Sequence, residues 1–154
     1  MKLALTARCL GVCCLSLFAM IGALHAQSTP EGAWVTYDDE GRKAQAVVRI
    51  SEKEGRLVGH IVELLDPDAD VQAKCEKCPA DRKGKPLLGL QIISSVDPVP
   101  QGQVWKKGLI LDPQEGREYR LELEWAPAAK EMKVRGYWGP FWRTQVWKRQ
   151  AGSL

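Results

Sequence analysis

Two cysteines and one histidine are the residues of this sequence whose types and spacing most readily suggest chemistry. Cys75 and Cys78 form a Cys-X-X-Cys pair, and His60 precedes them. Such a pair closes a local disulfide, supplies two thiolates to a zinc site, or acts as a redox-active dithiol. A thioredoxin-like pair needs a helix N-terminus, whereas this pair lies in a polar segment next to Pro79. We therefore expect a disulfide, with a metal site and a redox pair as alternatives.

Acid–base and nucleophilic catalysis have few candidate residues. A Ser-His-Asp triad would have to recruit His60, which lies among the apolar residues of a predicted strand. The Asp and Glu residues mostly alternate with apolar ones, as on a solvated strand face. No two carboxylates stand out as an acid–base pair. The sequence therefore predicts a protein that is not an enzyme, with no catalytic residue, no resident metal and no cofactor.

The first 26 residues have the features of a secretory signal peptide. Lys2 and Arg8 supply positive charge, residues 9–24 form an apolar stretch, and Ala26 is a small residue for cleavage before Gln27. This predicts a signal peptide over 1–26, a domain over 27–154, and a periplasmic or secreted protein without stable membrane insertion after cleavage. Cleavage removes two positive charges from a formal net charge of +3, and a nearly neutral chain is not expected to bind nucleic acid.

Short segments with alternating or β-branched apolar residues fill most of the remaining chain, and turn signals separate them. The clearest is Tyr119–Trp125, whose apolar residues alternate with Glu and Arg. Residues 66–86 interrupt the pattern as the one long loop, a feature that is often functional. About eight to ten short strands predict an all-β fold, a single antiparallel up-and-down β-barrel without exposed edges. The other predicted strands are Ala33–Tyr37, Ala44–Ile50, Leu57–Leu65, Leu88–Ser94, Val104–Leu111, residues 132–136 and Thr144–Arg149.

A series of short segments resembles a known family. In order they are Gly32-Ala-Trp34, residues 55–62, Cys75-Glu-Lys-Cys78, residues 84–89, residues 108–113 with Gly116 and Tyr119, residues 134–137, and residues 143–149. Together they resemble the domain of unknown function 2147 family of exported bacterial proteins, over almost all of residues 27–154. The resemblance implies a lipocalin-like β-barrel, a fold associated with binding small apolar molecules. One departure is Trp142, which stands where the family more often has Gly, near the expected barrel mouth.

The lipocalin-like resemblance also implies a structural role for Trp34. Lipocalins share a Gly-X-Trp near the first strand, and its indole packs against a basic side chain from a late strand. Here Gly32-Ala-Trp34 matches that motif, and either Arg143 or Arg149 would supply the cation. A cation–π contact of this kind contributes about 0.5–2 kcal/mol, and it would help to close one end of the barrel.

Aromatic residues supply most of the candidates for a binding site. The sequence has six Trp and three Tyr, for which core packing competes with a ligand-lining role. The favoured hypothesis is a non-enzymatic periplasmic binding protein for a small, mostly apolar ligand. One alternative is a solid barrel that docks an envelope protein through the 66–86 loop and the turn at Trp138–Trp142; another is a thiol or metal protein built on the cysteine pair. The candidate ligand-binding residues are His60, Tyr119, Trp125, Trp138 and Trp142.

Overall fold

The computed structural model describes residues 29–99 and 103–152. One 3-10 turn spans Ala80–Arg82, and the described residues include no helix long and apolar enough to cross a membrane. The predicted signal peptide over residues 1–26, with its cleavage before Gln27, lies outside the described residues. The strands are β1 Gly32–Tyr37, β2 Ala44–Lys53, β3 Arg56–Leu64, β4 Gln91–Pro98, β5 Val104–Asp112, β6 Arg117–Ala126, β7 Glu131–Trp138 and β8 Phe141–Arg149.

These strands form one closed antiparallel barrel in which each strand pairs with its neighbours in sequence. The ring closes where β1 meets β8, through the pairs Trp34 with Arg149 and Val35 with Lys148. Short turns favour this order, because successive strands can then pair without crossing connections. The predicted all-β, up-and-down barrel is therefore confirmed.

The connections between strands divide between the two ends of the barrel. Those that follow β1, β3, β5 and β7 lie at one end, here called the open end. Those that follow β2, β4 and β6 lie at the opposite end, together with the start of β1 and the finish of β8; this is the sealed end. The division follows from the antiparallel order, since each strand reverses the direction of the one before it.

Period-two alternation determines which side chains fill the barrel. In β6, Leu121, Leu123 and Trp125 are buried, while the residues between them are half-buried. On β7, Met132 and Val134 occupy the matching inward positions, and β7 pairs with β8 without a break in register. The inner face of each strand can therefore be followed from the sealed end to the open end.

β4 begins later than the sequence predicts. The expected strand starts at Leu88, but the observed one starts at Gln91. Gly89 has a left-handed φ of 86°, so the chain is still turning there as it returns from the long loop. Gly89 and Leu90 nevertheless reach β3, because the Gly89 N–H donates to the Ile61 carbonyl and the Ile61 N–H donates to the Leu90 carbonyl.

β8 begins earlier than the sequence predicts. The expected strand starts at Thr144, but the observed one starts at Phe141, which pairs with Trp138 of β7. Aromatic residues favour strands, and here they extend the hairpin up to a turn of two residues, Gly139 and Pro140. The hairpin of β7 and β8 thus keeps its strand pairing up to its tip.

The long loop between β3 and β4 is fixed to the barrel. Cys75 and Cys78 form the predicted disulfide, and both residues are buried. The Cys75 N–H donates to the Lys85 carbonyl at 2.8 Å, which joins the two arms of the loop. Cys75 Sγ also lies 3.3 Å from the carbonyl oxygen of Pro113, in the turn after β5. The loop therefore packs against the β5–β6 turn as an ordered part of the fold.

Candidate functional site

The sealed end of the barrel is closed by two indoles and one guanidinium group. Trp34 on β1 and Trp125 on β6 meet edge to face, with ring centroids 5.0 Å apart. The guanidinium carbon of Arg149 lies 4.6 Å from the Trp34 ring centroid and 4.8 Å from that of Trp125. Both indoles are buried, and a cation–π contact strengthens when its groups are removed from water. The three side chains therefore act together as a plug.

Hydrogen bonds tie the same arginine to the chain just before β1. Arg149 Nη1 donates to the Glu31 carbonyl at 2.7 Å, and Nη2 donates to the Thr29 carbonyl at 2.6 Å. Gly32 lies beside this contact with a φ of 128°, and a Cβ at that position would be 2.6 Å from Arg149 Nη1. Glycine is therefore required at position 32. Burial lowers the pKa of Arg149, but an arginine still keeps its charge at neutral pH.

Large side chains fill the barrel above this plug. Met132 and Trp147 pair across β7 and β8, and both are buried. Leu123, Val134 and Val48 belong to the same buried cluster. Interiors of this kind pack as densely as organic crystals. This half of the barrel is therefore a packed core.

Towards the open end, the side chains on the inner face of the barrel are less buried. Ala46, Leu64 and Ile110 pack against the core but remain partly accessible. Gly136 carries no side chain, and a Cβ built there would lie 3.5 Å from the Cβ of Tyr119. Strand register places these residues on the same inner face as the core but beyond its buried part, and this partly accessible inner surface is here called the cup. The cup is lined by Ala46, Leu64, Ile110, Tyr119, Gly136 and Gln145.

Two polar groups belong to the wall of the cup. The Tyr119 hydroxyl donates a hydrogen bond to Glu115 Oε2 at 2.7 Å. This bond, together with partial burial, raises the pKa of Tyr119, so the hydroxyl stays neutral at physiological pH. Gln145 Oε1 accepts a hydrogen bond from Trp147 Nε1 at 3.1 Å. The cup therefore presents an apolar surface with a phenol and an amide, and the exposed Arg143, which pairs with Gly136 across β7 and β8, adds a positive charge at its rim.

Three exposed aromatic side chains stand beside the cup and are here called the aromatic tip. Trp138, Phe141 and Trp142 are 66%, 67% and 65% exposed. The rings of Trp138 and Phe141 have centroids 6.4 Å apart, and the guanidinium carbon of Arg117 lies 6.0 Å from the Trp138 centroid. Trp142 alternates with the inward positions of β8 and faces away from the cup. Trp138 and Phe141 therefore form one exposed aromatic surface, and Trp142 adds a further exposed ring on the other face of the hairpin.

His60 lies outside the barrel, in a cleft of about 480 Å³ between the outer face of the sheet and the long loop. Arg82 and Glu118 also line this cleft, with 2.6 Å between Arg82 Nη2 and Glu118 Oε1. His60 is also part of a neighbouring cleft of about 270 Å³. No hydrogen bond or ion pair joins the His60 ring to another residue of the described segments. Nothing in this part of the structure therefore orients the imidazole as a base.

The cysteine pair is present as a disulfide, not as two thiols. Both sulfurs belong to buried residues of the long loop, which limits access to them. Within residues 29–99 and 103–152, no group of three or more His, Cys, Asp or Glu residues could hold a metal ion. The geometry therefore supports a structural disulfide that shapes the loop.

Comparison with known sequences places the chain in a family. Residues 32–149 match the family described as "Uncharacterized protein conserved in bacteria (DUF2147)". The chain belongs to this family. No curated protein matches it in sequence. The match covers β1 to β8, and therefore both the plug and the cup of this family member.

A comparison with solved structures also supports the barrel architecture. The barrel is similar to a solved structure described as "Protein HP1028 from the human pathogen Helicobacter pylori belongs to the lipocalin family". The TM-score is 0.67 at 17% sequence identity, with 79% of this chain and 83% of that chain covered. At this identity the likeness shows the fold alone. This member of the DUF2147 family is thus a lipocalin-like barrel.

The structure separates the sequence-predicted ligand-binding residues. Tyr119 and Trp138 lie at the open end, in the cup wall and at its rim. Trp125 lies in the plug, His60 lies in the outer cleft, and Trp142 faces outward from the aromatic tip. The five candidates therefore do not form one site, and only the first two face the cup.

The two candidate arginines also differ in their surroundings. Arg149 contacts Trp34, as described above, whereas Arg143 lies at the open end of β8 and is exposed. Arg143 Nη2 is 2.6 Å from Asp39 Oδ2, in the connection after β1. The geometry thus assigns the tryptophan-packing position to Arg149.

Gly136 and Gln145 are cup residues that were not among the predicted ligand-binding residues, although Gly136 was predicted on the inner face of the strand over residues 132–136. Both continue an inward series, since Gly136 follows Met132 and Val134 by steps of two, and Gln145 precedes Trp147 by two. A small or polar residue within such an apolar series marks where the packed core ends. This pattern was legible in the sequence and could have located the cup.

Proposed function

We propose that this protein is a non-enzymatic, lipocalin-like binding protein that holds a small, mostly apolar ligand in the cup. The proposal rests on a difference in accessibility between the two ends of the barrel interior. One end is plugged by Trp34, Trp125 and Arg149, while the other leaves apolar inner residues accessible. Family membership and the lipocalin-like fold are compatible with this function.

The chemistry of the cup suggests the class of ligand. Small-molecule sites are mostly apolar, with a few polar groups that set orientation. Here the apolar wall is supplemented by the Tyr119 hydroxyl and the Gln145 amide. Arg143 at the rim is already paired with Asp39. A neutral ligand with an apolar body and one or two hydrogen-bonding groups fits this wall best.

We also propose that the protein works outside the cytoplasm, in the periplasm or beyond it. The support is the sequence of residues 1–26, with its basic start, apolar stretch and small residue at Ala26. An intact mass that begins at Gln27, measured on protein from the exported fraction, tests this. A mass that includes Met1 would contradict it.

A substitution that fills the cup tests the binding function. Gly136→Leu places an isobutyl group in the cup, and its Cβ meets only ordinary contacts at 3.5 Å and beyond, so the barrel is expected to fold. The measurement is the fluorescence increase of the neutral apolar probe N-phenyl-1-naphthylamine. Because the probe and the new side chain compete for one volume, we expect Gly136→Leu to raise the dissociation constant about tenfold or more.

Val146→Leu is the matched control. It adds apolar volume to the outer face of β8, where Val146 is 41% exposed, and it should bind the probe like the wild type. Equal probe binding by Gly136→Leu and the wild type would overturn the cup as the site. If binding were instead lost on His60→Ala, the outer cleft would be the site.

A further inference from the structure

The aromatic tip contains the three most exposed large apolar side chains of the described residues. Single exposed apolar residues are common on protein surfaces and need no explanation. Three aromatic residues within five positions are different, because together they keep a large apolar area in water. They lie beyond the packed core, so burial inside the barrel does not explain them.

We propose that the aromatic tip is a lipid-surface anchor, in which Trp138, Phe141 and Trp142 enter the headgroup region of an anionic bilayer. Tryptophan suits this region because its ring is apolar and its N–H remains a hydrogen-bond donor. The three side chains flank the two-residue turn at Gly139 and Pro140, so they project from a narrow hairpin. A convex projection can enter a lipid surface without any complementary pocket.

The charges around the tip favour anionic lipid. Residues 134–144 include Arg135 and Arg143 and no acidic residue. Arg117 lies against the Trp138 ring on the neighbouring hairpin, and its ion pair with Glu115, 3.8 Å between Nη1 and Oε2, is exposed to water. The side chains of Arg143 and Asp39 are 62% and 52% exposed, so water screens their ion pair and a lipid phosphate can replace the carboxylate. Cationic side chains next to aromatic ones form the combination that binds interfaces with acidic headgroups.

The anchor is a reversible surface contact, and it does not require the cup to bind a ligand. It would, however, place the open end of the barrel against the bilayer, because the tip and the cup lie at the same end. Cup and tip can be tested separately, since Gly136→Leu alters the cup and Trp142→Ser alters a tip residue that faces away from it.

Vesicle flotation of the purified protein tests the anchor. The vesicles are phosphatidylethanolamine with phosphatidylglycerol, and phosphatidylcholine alone as the uncharged comparison. The test variant carries Trp138→Ser, Phe141→Ser and Trp142→Ser. Its control carries Val71→Ser, Leu109→Ser and Val146→Ser, which remove exposed apolar side chains elsewhere. We expect the tip variant to lose roughly a hundredfold in affinity for the anionic vesicles, and the control variant to retain wild-type affinity.

A second variant tests whether the arginines near the tip contribute to binding of anionic vesicles. Arg117→Gln with Arg143→Gln should weaken binding to the anionic vesicles by roughly fivefold per arginine, and should hardly change binding to phosphatidylcholine. Brominated lipids offer a readout on the wild type, because tip indoles within the bilayer are quenched by them. This keeps the test decisive if the triple variant folds poorly.

Several results would overturn the anchor. They are wild-type protein that binds neither vesicle, a tip variant that floats as well as the wild type, and no quenching by brominated lipid. A dimer in sedimentation equilibrium that is lost in the tip variant, without vesicle binding, would assign the tip to a second copy of the chain.

Discussion

At the sealed end, strands β7 and β8 direct Met132 and Trp147 into the barrel. A few positions further along the same face, they carry Gly136 and Gln145. Met132 and Trp147 pair with each other and are buried, whereas Gly136, opposite Arg143, and Gln145, opposite Val134, are partly accessible. The strand pairing is continuous across this change, so backbone geometry does not cause it. In this hairpin, the volume of the inward side chains separates the core from the cup.

The largest effect is expected from truncating a tryptophan at the sealed end. Trp34 is buried against Trp125 and Arg149, and its Nε1 donates to the Pro30 carbonyl at 2.8 Å. Trp34→Ala should therefore lower the free energy of unfolding by about 3–5 kcal/mol, measured by urea denaturation. Trp138→Ala at the open end should change it by less than about 0.5 kcal/mol. Similar losses in both variants would mean that the ends do not differ in packing.

Substitution of the two arginines of β8 should also cost more stability at the sealed end than at the open end. The difference should be smaller than the one between the two tryptophan variants. Arg149→Met removes two hydrogen bonds to backbone carbonyls and the cation between two indoles, so we expect a loss of about 1–3 kcal/mol in unfolding free energy. Arg143→Met removes a solvent-exposed pair with Asp39, which contributes less than about 1 kcal/mol. Chemical denaturation of both variants checks this. A larger loss of unfolding free energy for Arg143→Met than for Arg149→Met would contradict the assignment of Arg149 as the cation that packs on Trp34.

The smallest effect is a pH dependence located in the cup. The hydrogen bond to Glu115 raises the pKa of Tyr119 in the folded protein, so folding favours the neutral phenol. Its stabilisation is fully present below the unfolded pKa of about 10, and it is lost as the pH rises through the higher folded value. We expect unfolding free energy to fall more steeply above about pH 10 for the wild type than for Tyr119→Phe. Parallel profiles would show that the hydrogen bond does not couple to folding.

Much of the fold could be predicted because the signals are local. The alternation in Tyr119–Trp125 fixes the inner and outer faces of β6, and short turns dictate the hairpin order. The ends of β4 and β8 were misplaced where a local signal was ambiguous. Leu88 follows the apolar pattern but belongs to the returning loop, and Phe141 was assigned to a turn although it pairs with Trp138.

The site was harder to predict because it depends on contacts between distant segments. Nothing near Arg149 in sequence distinguishes it from Arg143, and only barrel closure places it on Trp34. Tyr119 and Trp125 share a face of one strand, yet one lies in the cup and the other in the plug. Which end of the barrel is filled depends on all eight strands together.

The bond between Arg149 and Glu31 joins positions that are 118 residues apart. Each hairpin of the barrel can form from neighbouring segments, but this contact must close a loop of nearly the whole domain, at an entropic cost that local pairing avoids. The plug belongs to the seam between the first and last strands, so it cannot exist before the final nine-residue strand is available. During synthesis, a chain that lacks β8 therefore has two unpaired strand edges and no closed ring. Closure of the barrel and formation of the plug are thus coupled to the arrival of β8.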